Sequence, residues 1–279
     1  MSEVVLLDGA VGTSLWEKAE EKVPVWQYNL TNPRIVADLE KEYLDAGAEI
    51  ILANTFGANA LSMKNTSFQV KEVVTSAMGI IHDTIADKAQ IALSVGPLSM
   101  LLEPYGDLTE EEAYEIFDEQ ISWGVEGKPD LIMIQTFMDI EMMKIAVKAA
   151  SRHNLPIFCS MSFDKSGHTM MGNTPKAMID GLKDLPVATV GLNCSLGPDA
   201  AAPIMKEFRD NTDLPLIFKP NAGKPVVVDG KAEMQFDIDT FVADALPALD
   251  YGVTYIGGCC GCNAPYIRRL KQALTERGL

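Results

Sequence analysis

Eight short apolar runs recur along this chain, and helix-like stretches separate them. The runs are residues 4–8 (VVLLD), 49–55 (EIILANT), 90–97 (QIALSVGP), 130–136 (DLIMIQT), 156–163 (PIFCSMSF), 188–195 (ATVGLNCS), 214–221 (LPLIFKPN) and 253–260 (VTYIGGCC). Most are continuous rather than alternating, the pattern of strands buried on both faces in a parallel sheet covered by helices. Between them, residues 32–47 carry apolar residues at helical spacing and end on Gly47, a left-handed C-cap candidate. Thr109 and Glu112 form a capping box at the start of the helical stretch 107–127. Residues 139–154 and 199–212 follow the same template, and 237–252 is interrupted by Pro247. A strand–helix alternation repeated eight times within 279 residues predicts a (β/α)8 TIM barrel, one domain spanning 1–279. The alternative, an open doubly wound sheet, usually places a GxGxxG phosphate loop after its first strand. The first turn here, DGAVGTSLW, lacks that spacing. The polar connection 222–237 predicts a small hairpin turning at Asp229-Gly230.

Charge and length narrow the function classes. The net charge is −16 with no basic run, which argues against a nucleic-acid partner. No apolar run approaches the ~20 residues of a membrane span, and the first residues do not resemble a signal peptide, so a cytoplasmic protein with no membrane partner is expected. Five cysteines in a chain of this length are not a disulfide framework.

In a (β/α)8 barrel the chemistry gathers at the carboxyl ends of the strands. There the runs place Asp8-Gly9, Asn54-Thr55, Gln135-Thr136, Asn193-Cys194-Ser195, Asn221 and Cys259-Cys260. Cys194 can meet Cys259 and Cys260 across the seventh strand. Three converging thiolates suit zinc, with one tetrahedral position open. Adjacent side chains on a strand face opposite ways, so Gly257, Gly258 and Gly261 must bend the backbone for both vicinal cysteines to point inward. Spacing alone leaves other readings open: Cys194 as a core residue, or Cys260-Gly261-Cys262 as a redox pair. Cys159 reads as a buried small hydrophobe. The three histidines, His82, His153 and His168, fall on helices or loops and read as surface residues.

The segments DGAVGTSL, EYLDAGAEIILANTFGAN, SVGPLSMLLEPYGDLTEEEA, DLIMIQTFMDIEMMKIAVKAA, VGLNCSLGP, PNAGKPVVVDGK and YIGGCCG occur in order. Together they resemble the homocysteine S-methyltransferase family, nearest to the zinc- and homocysteine-binding half of cobalamin-dependent methionine synthase. The likeness covers essentially the whole chain. It implies Cys194, Cys259 and Cys260 as zinc ligands, with Asn221 filling the fourth position until a thiol arrives. It implies Asp8 and the neighbouring Gly9 at the amino-acid end of homocysteine, with Asn54, Thr55, Gln135 and Asn193 on the same rim. Zinc would favour the substrate thiolate, which attacks a methyl group, so no separate protein nucleophile is needed.

Three positions depart from the family pattern. Gln135 stands where a glutamate usually binds the homocysteine ammonium. Cys262 follows Gly261 where the family has threonine, and it reads as a packing change ahead of a spare ligand. Lys219 and Lys224 flank the PNAG segment and read either as solvated loop charge or as a contact for an anion. The expected activity is methyl transfer to homocysteine, giving methionine. The alternative is transfer to or from a thiol or thioether without the amino-acid head, and a non-enzymatic zinc-binding module is a remote third. The folate and cobalamin modules of the resembling enzyme are missing from these residues. The donor is therefore expected to be a methyl-corrinoid on a separate protein, ahead of a small methylsulfonium or betaine. The sequence fixes no oligomeric state; Met142-Met143 and Met170-Met171 read as core.

Overall fold

Continuous apolar runs form the strands of this chain, in a computed structural model that describes residues 4–223, 225–228 and 231–279, with backbone alone described in 225–228 and 231–234. The strands are β1 (Val5–Leu6), β2 (Ile50–Leu52), β3 (Gln90–Val95), β4 (Leu131–Phe137), β5 (Ile157–Met161), β6 (Thr189–Asn193), β7 (Leu216–Lys219), β8 (Pro225–Val228), β9 (Lys231–Met234) and β10 (Val253–Ile256). Eight of them form one sheet in the order β1-β10-β7-β6-β5-β4-β3-β2. Every pair in it is parallel. A parallel bridge between Leu7 and Ile50 joins β1 to β2 and closes the barrel. β8 and β9 pair with each other antiparallel, as the expected hairpin; its turn, Asp229-Gly230, lies outside the described residues.

Parallel neighbours need a crossover, and the helices supply it on the outside. Pro33–Ala46 starts with proline at its first position and stops at Gly47, whose φ of 96° only glycine adopts freely. Its stripe of Val36, Leu39, Tyr43 and Ala46 is buried. Glu110–Glu126 carries the capping box in full: the Thr109 side chain accepts from Glu112 N–H, and the Glu112 carboxylate accepts from Thr109 N–H. Pro203 splits the stretch 199–212 into the short turn Pro198–Ala201 and the helix Ile204–Asn211. Pro247 ends Ile238–Ala245 and leaves a tighter turn of 3₁₀ helix over Leu246–Tyr251. Met142 and Met143 are core, as expected. Met170 is not: it stands 83% exposed on the loop after β5. Among the described residues no helix is long and apolar enough to cross a membrane.

The barrel interior positions the site. Side chains alternate along a strand, so every second residue points inward. Leu7, Leu52, Ala92, Met133, Phe158 and Ile217 pack there as a cluster separate from the helix–sheet core. Fully burying a Leu, Ile, Met or Phe side chain among them stabilises by about 1.5–3 kcal/mol. Two residues farther along β3, β4, β5 and β7, the same inward register carries Ser94, Gln135, Ser160 and Lys219, all buried. The barrel is thus apolar through most of its depth and polar at its carboxyl end.

Candidate metal centre and adjoining pocket

β6 ends at Asn193, and the next two residues, Cys194 and Ser195, take positive φ of 65° and 61°. Non-glycine residues pay about 1–2 kcal/mol for that conformation. Here it is held by Cys194 N–H donating to Lys219 O at 3.0 Å and Leu196 N–H donating to Cys194 O at 2.7 Å. The bend turns the Cys194 thiol toward the end of β10. That strand stops at Ile256, earlier than the expected 253–260, so the vicinal cysteines do not lie on a strand. They lie on a turn that Cys262 N–H closes by donating to Cys259 O at 2.9 Å. Gly261, third in the turn with φ 82°, supplies the left-handed step of a type II turn. A Cβ on Gly258 would meet the Cys262 Cβ at 2.3 Å, so that position accepts nothing larger. A turn, unlike a strand, lets adjacent side chains face the same way.

As a result the sulfurs of Cys194, Cys259 and Cys260 lie within 4.8 Å of one another, and those of Cys194 and Cys260 are 3.7 Å apart. Two sulfurs each at ~2.3 Å from one tetrahedral zinc stand about 3.8 Å apart. Asn221 completes the fit. Its side chain lowers the Cys194 pKa, and its Oδ1 is buried with no donor among the described residues. The charge distribution points the same way. Hydrogen bonds from Cys259 and Cys260 pull the Cys194 thiol down to about 3. The hydrogen bond to Cys194 pushes Cys259 up, and likewise Cys260 to about 11. The trio accepts its first negative charge readily and resists the next two; a divalent cation removes that resistance. Cys262 is buried, 3.6 Å from Pro220 O, and burial pushes its thiol up. It packs, as does Cys159.

Behind the cysteines, Asn193 ties three strands together. Its Oδ1 accepts from Thr136 N–H at 2.8 Å and from the Ser160 hydroxyl at 2.7 Å. Its Nδ2 donates to Thr136 Oγ1 at 2.7 Å and faces the Cys259 sulfur at 3.7 Å. Thr136 is β-branched with φ 67°, a conformation such residues rarely adopt. The asparagine clamp holds it there.

A cavity of about 300 Å³ opens against the three cysteines. Val11, Trp16, Val25, Leu52 and Phe56 give it apolar walls, and Ser94, Gln135 and Lys219 line it from the polar end of the barrel. Of the residues expected to hold substrate, Gly9, Asn54 and Gln135 line this cavity. Asp8, Thr55 and Asn193 do not; their polar groups serve the scaffold. Thr55 Oγ1 donates to Ser94 O at 2.8 Å. Asn54 borders the cavity, but its Nδ2 is bound to Val25 O and Asn29 Oδ1, both at 2.8 Å. Asp8 is fully buried, accepting from Lys219 Nζ at 2.6 Å and from Leu52 N–H at 2.8 Å. Burial raises its pKa, opposed by Lys219. Lys219 is therefore neither loop charge nor solvated: it is 2% exposed. The sequence signal was only a lysine directly following the apolar run LPLIF. Lys224 lies outside the described residues.

A profile of the homocysteine S-methyltransferase family matches residues 5–274. Methionine synthase of Mycobacterium leprae is 26% identical over 98% of this chain and 24% of its own length. Methionine synthase of Mycobacterium tuberculosis is 25% identical over 98% and 25%. The chain thus spans about a quarter of the curated relatives it matches. Among solved structures, the Escherichia coli homocysteine methyltransferase MmuM in its metallated form superposes with a TM-score of 0.80 at 18% identity, covering 97% of this chain and 96% of that one. Its oxidized form gives 0.82 at 18% identity over the same shares. At that identity these structures speak for the fold alone.

Proposed function

The chain belongs to the homocysteine S-methyltransferase family, and on that premise we propose that it transfers a methyl group to the sulfur of a small thiol held beside a zinc ion on Cys194, Cys259 and Cys260. The carrying observation is the convergence of three sulfurs within 4.8 Å, from two separated strand ends, beside a cavity that they line. Three converging sulfurs within 4.8 Å are the donor set that suits zinc. Asn221, with its unpartnered Oδ1, is the side chain placed to yield to an incoming sulfur. When bound, zinc supplies the Lewis acidity that keeps a thiol ionised at neutral pH, where a free thiol of pKa ~8.5 is mostly protonated.

The protein's own groups do the rest. The three cysteines fix the ion, the turn 259–262 and the Asn193 clamp fix the cysteines, and the apolar walls exclude water from the acceptor's chain. In the reaction the thiol proton leaves to solvent and a sulfur–carbon bond forms. The bond from methyl to its carrier breaks, and the carrier keeps the electron pair. Homocysteine, the acceptor in the family's name, is the reference substrate. Gln135 in place of a carboxylate favours a second acceptor class, taken up below.

For the donor we propose a methyl-corrinoid carried by a protein domain that covers the mouth of the cavity. The curated relatives are about four times as long as their match to this chain. Among the described residues, the exposed large apolar side chains are Trp16, Leu101, Tyr105 and Met170. All four stand in segments that follow β1, β3 and β5, on the face where the cavity opens. Apolar groups gathered on one face suit a covering partner. Zinc-loaded protein, homocysteine and a methyl-corrinoid are expected to give methionine by mass spectrometry, and Cys194→Ala to give none. No methylated thiol from homocysteine or other thiols, with corrinoid, methylsulfonium or betaine donors, contradicts the proposal.

A further inference from the structure

We infer that the acceptor is a thiol ending in an acid group without an ammonium, a short mercapto-carboxylate whose carboxylate is received by Lys219 and Gln135. This rests on the reading above that a thiol is the methyl acceptor. Among the described residues that line the cavity there is no aspartate or glutamate, and the one cation is Lys219. The nearby carboxylate, Asp8, lies outside the lining, and both its oxygens already accept, from Lys219 Nζ and from Leu52 N–H. Gln135 is neutral, and its Nε2 donates to Ser94 Oγ at 2.9 Å.

An ammonium brought between these apolar walls would leave water and meet no anionic side chain, which is costly. A carboxylate meets the opposite situation. The Lys219 ammonium has three N–H donors, one of them directed at Asp8. The Gln135 amide has a second N–H besides the one given to Ser94. Hydrogen bonds from a charged donor to a carboxylate are roughly twice as strong as neutral ones. Asp8 then has a role of its own: it holds the Lys219 side chain at the polar end of the barrel, and the pair stays neutral when no substrate is present. The chemical step is unchanged: the thiol loses its proton to solvent, sulfur gains the methyl group, and the carrier retains the electron pair.

Calorimetry on the zinc-loaded protein, with no methyl donor, tests this with thiols of one chain length: homocysteine, 4-mercaptobutanoate, 3-aminopropane-1-thiol and 1-propanethiol. 4-Mercaptobutanoate is expected to bind at least about tenfold more tightly than homocysteine, and 3-aminopropane-1-thiol most weakly. Gln135→Glu should reverse the order of the first two. Because Lys219→Met alone strands Asp8 in the interior, the companion is the double variant Lys219→Met/Asp8→Asn, which should bind 4-mercaptobutanoate no better than propanethiol. Equal or tighter binding of homocysteine by the unaltered protein overturns the inference and leaves thiol methylation standing. So does an unchanged order in Gln135→Glu. Failure of all four thiols to bind overturns both.

Discussion

Asn193 is fully buried and does not line the cavity beside the cysteines, yet it holds Thr136 and Cys259 in place. Removing its amide strands the Thr136 N–H and the Ser160 hydroxyl, and each unpaired buried group costs about 1–3 kcal/mol. Asn193→Ala is therefore expected to lower unfolding stability by about 2–4 kcal/mol in chemical denaturation. It should also weaken zinc retention by roughly tenfold to a hundredfold in chelator competition, the usual effect of losing a partner behind the ligands. An Asn193→Ala protein with unaltered stability and zinc affinity would show that the clamp is incidental. The cysteines themselves were legible from sequence, because vicinal thiols beside glycines have few structural uses. Asn193 and Lys219 were legible only as polar residues near strand ends. Their partners, Thr136 and Asp8, are 57 and 211 positions away in the chain, and contacts at that separation leave no local pattern.

At the level of elements, the continuous apolar runs announced the strands, and prolines and glycines announced where helices stop. The ends of strands were overrun. The expected 253–260 shrinks to Val253–Ile256 because Gly257 and Gly258 approach neighbouring backbone and side chains, and the chain then turns back at Gly261. One helix carries a feature that periodicity missed. Glu40 occupies a buried position on Pro33–Ala46, and among the described residues neither carboxyl oxygen has a hydrogen-bond partner. The Thr84 hydroxyl, on the adjoining Val70–Ile85, is given to Ile80 O at 2.7 Å. Burial holds the Glu40 pKa well above the usual carboxyl range, so the folded state keeps a proton that the unfolded chain gives up. The sign follows: stability is full below the unfolded value of about 4.3 and falls as pH rises from there toward the folded pKa. Glu40→Met should remove that decline and raise stability at pH 8 by about 1–3 kcal/mol. Thermal unfolding at pH 4 and pH 8 checks it: a variant whose gain is the same at both values would place the cause in packing rather than in the proton.

For the molecule as a whole, the eightfold alternation was enough to predict a closed parallel barrel, because few other architectures bury so many two-faced strands in 279 residues. Closure then brings the ends of β6 and β10 together with only β7 between them. What the alternation could not show is the polar layer inside the barrel mouth, since inward and outward residues of a doubly buried strand look alike until the register is known. Activation of a thiol at this site depends on Cys194, Cys259 and Cys260 gripping one zinc. X-ray absorption at the zinc edge, on protein purified under reducing conditions, tests this most directly. One zinc per chain is expected, with three sulfurs at about 2.3 Å and one lighter atom that a fourth sulfur replaces when thiol is added. A shell of fewer than three sulfurs, or the same shell in Cys194→Ser, would contradict it.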